Sequence, residues 1–276
     1  MVSIEQYGEF DTSWCPGCGN FGILKSLKLA LTDLGIAPHE VIVSSGIGQA
    51  AKAPHYMNCN MFNGLHGRAL PVAQGIKMAN PDITVLCESG DGCSYGEGGN
   101  HFLAAIRRNM NITMIAHDNQ IYGLTKGQAS PTTAQGQVTK TQPDGAMSQA
   151  FNPVAVAVAM KAGFVARSFS GEQEHLSEMI KAAIQHDGFS LVDVFQPCVS
   201  FNKVNTFGWY KERCYKLEDH NPEDWAAAMV KADEFGDKIP IGVLYRNSKP
   251  SFPTTGQLAT HEYDPGDIKK ILQTFA

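Results

Sequence analysis

Two oxygen-bearing side chains stand on separate glycine-rich turns in one stretch of the chain: Asp91 within Gly90-Asp91-Gly92, and Asn119 after His117-Asp118. One carboxylate and one amide, with room for a backbone carbonyl nearby, suit Mg²⁺, which keeps several waters and takes its remaining oxygens from phosphates. Gly90, Gly92, Gly96, Gly98 and Gly99 let backbone N–H groups and a helix amino terminus approach a phosphate closely. The expected chemistry is a diphosphate bridged to the protein by Mg²⁺. Taken singly, Gly-Asp-Gly is an ordinary turn and Asn119 an ordinary Asx-turn; at this spacing the pair favours the metal. The second signal is Cys15-Pro16-Gly17-Cys18, two thiols in a tight turn that can grip one metal centre. Zinc, a redox dithiol and an iron–sulfur cluster all use this spacing. The dithiol is disfavoured, because the pair precedes the first helix of a large domain instead of following a strand.

Both ligand candidates need elements to hold them. Ile23, Leu24, Leu27, Leu31 and Leu34 recur at helical spacing, which predicts an amphipathic helix over 22–34. Short runs rich in branched or aromatic residues predict strands at 41–43, 83–86, 112–116, 164–166 and 191–195, with helices over 97–109 and 175–186. Strands alternating with helices, several of them apolar throughout, imply right-handed crossovers and a covered parallel sheet. The expected fold is α/β, a doubly wound, mostly parallel sheet. In it Asp91 and Asn119 each follow a strand, and consecutive strands joined by one helix stand about 5 Å apart at the edge where such sheets bind ligands. The polar stretch 129–147 is expected to be a long loop.

Composition narrows the function classes. The chain has 276 residues, 43% hydrophobic and 18% charged, with a net charge of −5. This suits a single globular domain over 1–276, with residues from about 211 onward as a carboxyl-terminal extension packing on the core or on a partner. The acidic balance argues against nucleic acid or an anionic membrane as partner. No apolar run approaches the roughly 18 residues of a membrane span, and no basic-then-apolar leader opens the chain, so a cytoplasmic setting is expected. Seven cysteines, an odd number, argue against a disulfide framework and leave reduced thiols or metal ligands. A dinucleotide fingerprint is satisfied at Gly46, Gly48 and Ala51, but no acidic residue occurs between Glu40 and Asp82 to take a ribose hydroxyl, so a nicotinamide cofactor is rejected.

The string HDNQIYGLTKGQASPTT, with LHGRALPVAQGIKMANPD upstream and CPGCG near the start, resembles the β subunit of 2-oxoacid:ferredoxin oxidoreductases. The likeness covers roughly residues 14–210, with the motifs in that family's order. It implies a thiamine diphosphate-binding fold in which Asp91, Asn119 and the carbonyl of Ile121 hold Mg²⁺. Gly46, Ile47, Gly48, His66, Gly90, Gly92, Gly123 and Leu124 would line the cofactor. It implies that Cys15, Cys18 and Cys198 ligate a [4Fe–4S] cluster; the position of the remaining family cysteine is Gln49 here, and Cys59 is the nearest thiol in sequence to replace it. Lys126, for the substrate carboxylate, and His66 are the catalytic candidates. The implied reaction is coenzyme A-dependent oxidative decarboxylation of a 2-oxoacid, with 2-oxoglutarate favoured, to acyl-CoA and CO₂. Electrons would leave through the cluster to ferredoxin. No pyrimidine-binding half is recognisable, so an α subunit would supply the glutamate that activates the cofactor. The alternatives are a non-redox thiamine diphosphate decarboxylase subunit without a cluster, and an inactive binding module that keeps the fold.

Overall fold

In the computed structural model, residues 1–253, 270 and 272–274 are described. α1 (Asn20–Asp33) leads into β1 (Val41–Ser45), β2 (Asn60–Asn63), α2 (Ala69–Ala79) and β3 (Thr84–Gly90). Then come α3 (Gly99–Arg108), β4 (Ile112–Asp118), a hairpin of β5 (Ile121–Tyr122) and β6 (Gln128–Ala129), and α4 (Pro153–Ala159). β7 (Phe164–Phe169), α5 (Gln173–Gln185), β8 (Phe189–Phe195), α6 (Phe207–Arg213), β9 (Cys214–Lys216), α7 (Trp225–Asp233) and β10 (Ile239–Arg246) follow.

Eight strands form one sheet in the order β2-β1-β3-β4-β8-β7-β10-β9. It is parallel from β2 to β7, and β10 runs antiparallel to β7. Every residue of β4 and β8 is buried, as expected of central strands covered on both faces. One core layer sets Leu70, Phe102, Ile106 and Val154 of α2, α3 and α4 against Val85, Met114 and Leu191 of the sheet. The other sets Ile23, Leu27 and Leu31 of α1 and Leu176 and Ile180 of α5 against Val43, Leu86 and Ile115. Each such side chain, fully buried, contributes about 1.5–3 kcal/mol.

The doubly wound α/β expectation holds, and the expected helix over 22–34 is α1, beginning two residues earlier. The five expected strands are β1, β3, β4, β7 and β8, most of them running further toward the carboxyl end than their apolar runs. The segment after 211 does more than pack against the domain: α7 covers one face and β10 joins the sheet beside β7. The part of that extension beyond 253 lies largely outside the described residues.

Candidate cofactor cleft and thiol recess

β3 and β4 are direct parallel neighbours with Gly90 opposite His117. Asp91 and Asn119 therefore each stand one residue beyond a strand end, on adjacent strands. They meet in one cleft of about 520 Å³, whose wall also includes Ile47, Gly48, His66, Gly90, Gly92, Ile121, Gly123 and Leu124. The π-turn Gly92–Glu97 opens immediately after Asp91. A Cβ at 92 would collide with the Tyr122 ring, which packs directly over this glycine. Gly46 is not on the cleft wall. It sits behind, where a Cβ would come within 2.5 Å of Cys93 Sγ, and that sulfur accepts hydrogen bonds from the backbone N–H groups of Gly67 (3.2 Å) and Ile47 (3.4 Å).

Asp91 is 2% exposed, and burial raises its carboxyl above the usual range. Its Oδ2 accepts from the hydroxyls of Ser130 at 2.5 Å and Thr132 at 2.6 Å, both from the long polar loop. Thr132 Oγ1 is also 2.7 Å from Asp118 Oδ1. One hydroxyl carries one proton and cannot donate to both acids. The short second contact fits a protonated Asp118 that donates to Thr132, which in turn donates to Asp91. Asp118 is pushed well above the ordinary carboxylate range by burial first, then by the charges of Asp193 and Asp91. A divalent ion at Asp91 would invert this local balance by favouring ionised oxygens.

Asn119 makes an Asx-turn, its Oδ1 accepting from Ile121 N–H at 3.0 Å, which leaves a second lone pair on that oxygen. Its Nδ2 donates to Gln196 Oε1 at 2.9 Å, and Gln196 Nε2 donates to Cys18 Sγ at 3.4 Å. A hydrogen-bond chain thus runs from the cleft to the thiols.

Cys15, Cys18 and Cys198 line a second recess of about 390 Å³ with Trp14, Gln49 and Phe201. It shares Gln49, Asn119 and Gly123 with the cleft. Ser200 donates to Cys15 Sγ at 3.0 Å. Burial pushes the Cys18 thiol up to about 11 in the absence of a metal. Among the described residues no three His, Cys, Asp or Glu side chains converge as they stand on a single ion position.

Besides Gly46, two candidates are not brought in. Cys59 precedes β2, whose Asn60 pairs with Ile42, so it lies level with the amino end of β1, on the opposite side of the sheet from the cleft. There burial pushes its thiol up to about 12. The expectation that Cys59 completes the thiol set is corrected by this register: proximity in sequence to Gln49 is undone by the chain returning to the far edge before β2. Lys126 is exposed on the turn between β5 and β6, with φ of 76°, and is not on the cleft wall, whereas His66 stands exposed at the cleft mouth. Ser130 and Thr132, which hold Asp91, lie inside the family-like string HDNQIYGLTKGQASPTT without being singled out there, and Gln196, which holds Asn119, was not singled out either.

A family model for the thiamine pyrophosphate enzyme C-terminal TPP binding domain matches residues 39–194, and one for the C-terminal part of the pyruvate ferredoxin oxidoreductase β subunit matches 198–260. The β subunit of 2-oxoacid:ferredoxin oxidoreductase 1 from Aeropyrum pernix is 45% identical over 248 residues, covering 86% of this chain and 78% of that protein. The chain belongs to the β subunits of the 2-oxoacid:ferredoxin oxidoreductases. Another member of this thiamine diphosphate-dependent oxidoreductase family, the 2-oxoglutarate oxidoreductase subunit KorB of Mycobacterium tuberculosis, is 42% identical over 70% of this chain and 52% of its own length. Among solved structures, the 2-oxoglutarate:ferredoxin oxidoreductase of Magnetococcus marinus, described with 2-oxoglutarate, coenzyme A and succinyl-CoA bound, superposes with a TM-score of 0.90 at 37% identity. The match covers 98% of this chain and 96% of that one. The cleft of this β subunit is accordingly that of a thiamine diphosphate-binding domain.

Proposed function

We propose that this β subunit binds Mg²⁺–thiamine diphosphate and a [4Fe–4S] cluster, and joins an α subunit in the cytoplasm to oxidise 2-oxoglutarate to succinyl-CoA and CO₂, reducing ferredoxin. The reading rests chiefly on one observation: Asp91 and Asn119 leave adjacent parallel strands and open into the same cleft. Asp91, Asn119 and the carbonyl of Ile121 are an all-oxygen donor set that fits Mg²⁺. Thiamine diphosphate, when bound, supplies the nucleophilic carbon and electron sink for decarboxylation of a 2-oxoacid. The chain holds it by the diphosphate, orients the ligands through Thr132 and Gln196, and walls off water with Ile47 and Leu124. Cys15, Cys18 and Cys198 keep the electron acceptor one wall away. His66, on the cleft wall, and Lys126, on the turn that follows Leu124 and Thr125 of that wall, are the catalytic candidates, Lys126 for the substrate carboxylate, and the α subunit brings the glutamate that works on the cofactor's pyrimidine.

The non-redox decarboxylase reading is set aside, because the thiols line a recess against the cleft and the relatives described above are named oxidoreductases. The choice of 2-oxoglutarate over pyruvate draws on the Mycobacterium relative's name and on the acid bound in the Magnetococcus enzyme. The test is calorimetric titration of thiamine diphosphate into the αβ complex with and without Mg²⁺, followed by ferredoxin reduction with a panel of 2-oxoacids and coenzyme A. Binding is expected to need Mg²⁺ and to weaken by more than about 100-fold in Asp91→Ala, beyond the usual loss from an outer-sphere partner. Undiminished binding in that variant refutes the metal assignment, and turnover of pyruvate alone refutes the substrate.

A further inference from the structure

The thiol recess has an unusual fourth wall. Gln49 lines it with Cys15, Cys18 and Cys198, and its Oε1 is buried without any hydrogen-bond donor. The residue is held in place from behind, since Trp14 Nε1 donates to its backbone carbonyl at 2.8 Å. A buried carbonyl oxygen with no protein donor keeps a lone pair free, and that lone pair can be donated to a metal ion held in the recess. Among the described residues no other cysteine lines this recess: Cys59 is at the opposite sheet edge, Cys87 is buried within β3, Cys93 accepts from Ile47 and Gly67, and Cys214 opens β9 at the far end of the sheet.

Building on the cluster assignment of the proposed function, we propose that the cluster is held by three thiolates, Cys15, Cys18 and Cys198, and that its fourth iron faces the carboxamide oxygen of Gln49. A neutral amide oxygen is a weak ligand for iron in a sulfide cage compared with thiolate. The fourth iron is therefore the exchangeable one. One-electron oxidation by ferricyanide takes [4Fe–4S]²⁺ to the 3+ state, which sheds Fe²⁺ and leaves [3Fe–4S]⁺, with ferricyanide reduced to ferrocyanide. Dithionite with added Fe²⁺ runs the change backwards.

The experiment uses the anaerobically purified αβ complex, with iron and acid-labile sulfide analysis, chelator capture of released Fe²⁺, and electron paramagnetic resonance before and after one equivalent of ferricyanide. The native complex is expected to release one iron per β chain and to gain a three-iron signal. Gln49→Cys, which supplies the fourth thiolate, is expected to release none. Cys59→Ala is expected to behave as the native chain does. Four irons retained by the native complex under oxidant, or a cluster lost in Cys59→Ala, overturns this inference and leaves the proposed function standing. A complex that binds Mg²⁺–thiamine diphosphate but contains no iron on isolation overturns the proposed electron path as well.

Discussion

The diphosphate cleft and the thiol recess share Gln49, Asn119 and Gly123, yet they are assembled by different means. The cleft is built at the carboxyl ends of three adjacent strands: Ile47 and Gly48 after β1, Asp91 after β3 and Asn119 after β4. Register fixes it, because Ser45 pairs with Glu88 and Gly90 with His117, and the buried Glu88–His117 contact of 2.9 Å ties the two inner strands. The recess joins a turn before α1 to the loop after β8, held by Gly19 N–H donating to the Pro197 carbonyl at 3.3 Å and by Gln196 reaching Cys18. A site made of strand ends is placed by the register of the sheet; one made of two distant loops is placed by the contacts that join them.

Cys198→Ser in the αβ complex separates the two most sharply. It is expected to abolish the cluster and with it ferredoxin reduction, while Mg²⁺-dependent thiamine diphosphate binding stays at the native affinity. Iron analysis and calorimetry on the same preparation read both. Loss of cofactor binding together with the iron breaks the comparison, since it would make cleft and recess one cooperative unit through the Asn119–Gln196–Cys18 chain.

A smaller effect is expected within the cleft itself. Thr132→Val keeps the shape but removes the hydroxyl that lies 2.6 Å from Asp91 and 2.7 Å from Asp118. Freed of its orienting partner, Asp91 is expected to bind Mg²⁺ about 10–100-fold more weakly, the usual cost of an outer-sphere ligand partner. Mg²⁺ dependence of cofactor-induced fluorescence quenching measures it. Unchanged Mg²⁺ affinity would mean that Ser130 alone orients the carboxylate.

The same contrast explains what the sequence made legible. Asp91 and Asn119 could be paired because each followed an apolar run, and the sheet rule brought adjacent ends together. Strand lengths were under-read where buried polar residues finish them: Ser44 and Ser45, Glu88 and Ser89, His117 and Asp118 are all buried, which no hydropathy pattern announces. β2 (Asn60–Asn63) is exposed throughout and carries no alternation, so the register that removes Cys59 from the thiol set was invisible. Pro240 within β10 falls in the part of the strand paired with short β9 at the sheet edge. Ser130 and Thr132 lie in a stretch whose composition said only loop. Arg167 and Asp193, charged residues amid the apolar strands β7 and β8, were an unused signal: both are buried, and with Asp118 and Thr132 they line a cavity of about 810 Å³.

That cavity gives the smallest expected effect and tests whether the space behind the cleft is electrostatically separate from it. Burial raises the Asp193 carboxyl from 3.8 to about 6, opposed by the Arg167 charge, while Tyr95 donates to its Oδ1 at 2.9 Å. A raised carboxyl means the folded chain keeps a proton that the unfolded chain releases. The associated stability is full below about 3.8 and is lost as pH rises through about 6. Asp193→Asn retains an acceptor for Tyr95 and does not titrate. The native thermal midpoint is therefore expected to fall, relative to that of the variant, as pH is raised from the lower value to the upper one, with cofactor affinity at neutral pH unchanged. Parallel midpoint curves would show that Asp193 titrates as it does in the unfolded chain. A loss of Mg²⁺–thiamine diphosphate affinity in the variant would instead show that Asp91 depends on the charge behind it, and that strand register alone does not set the cleft.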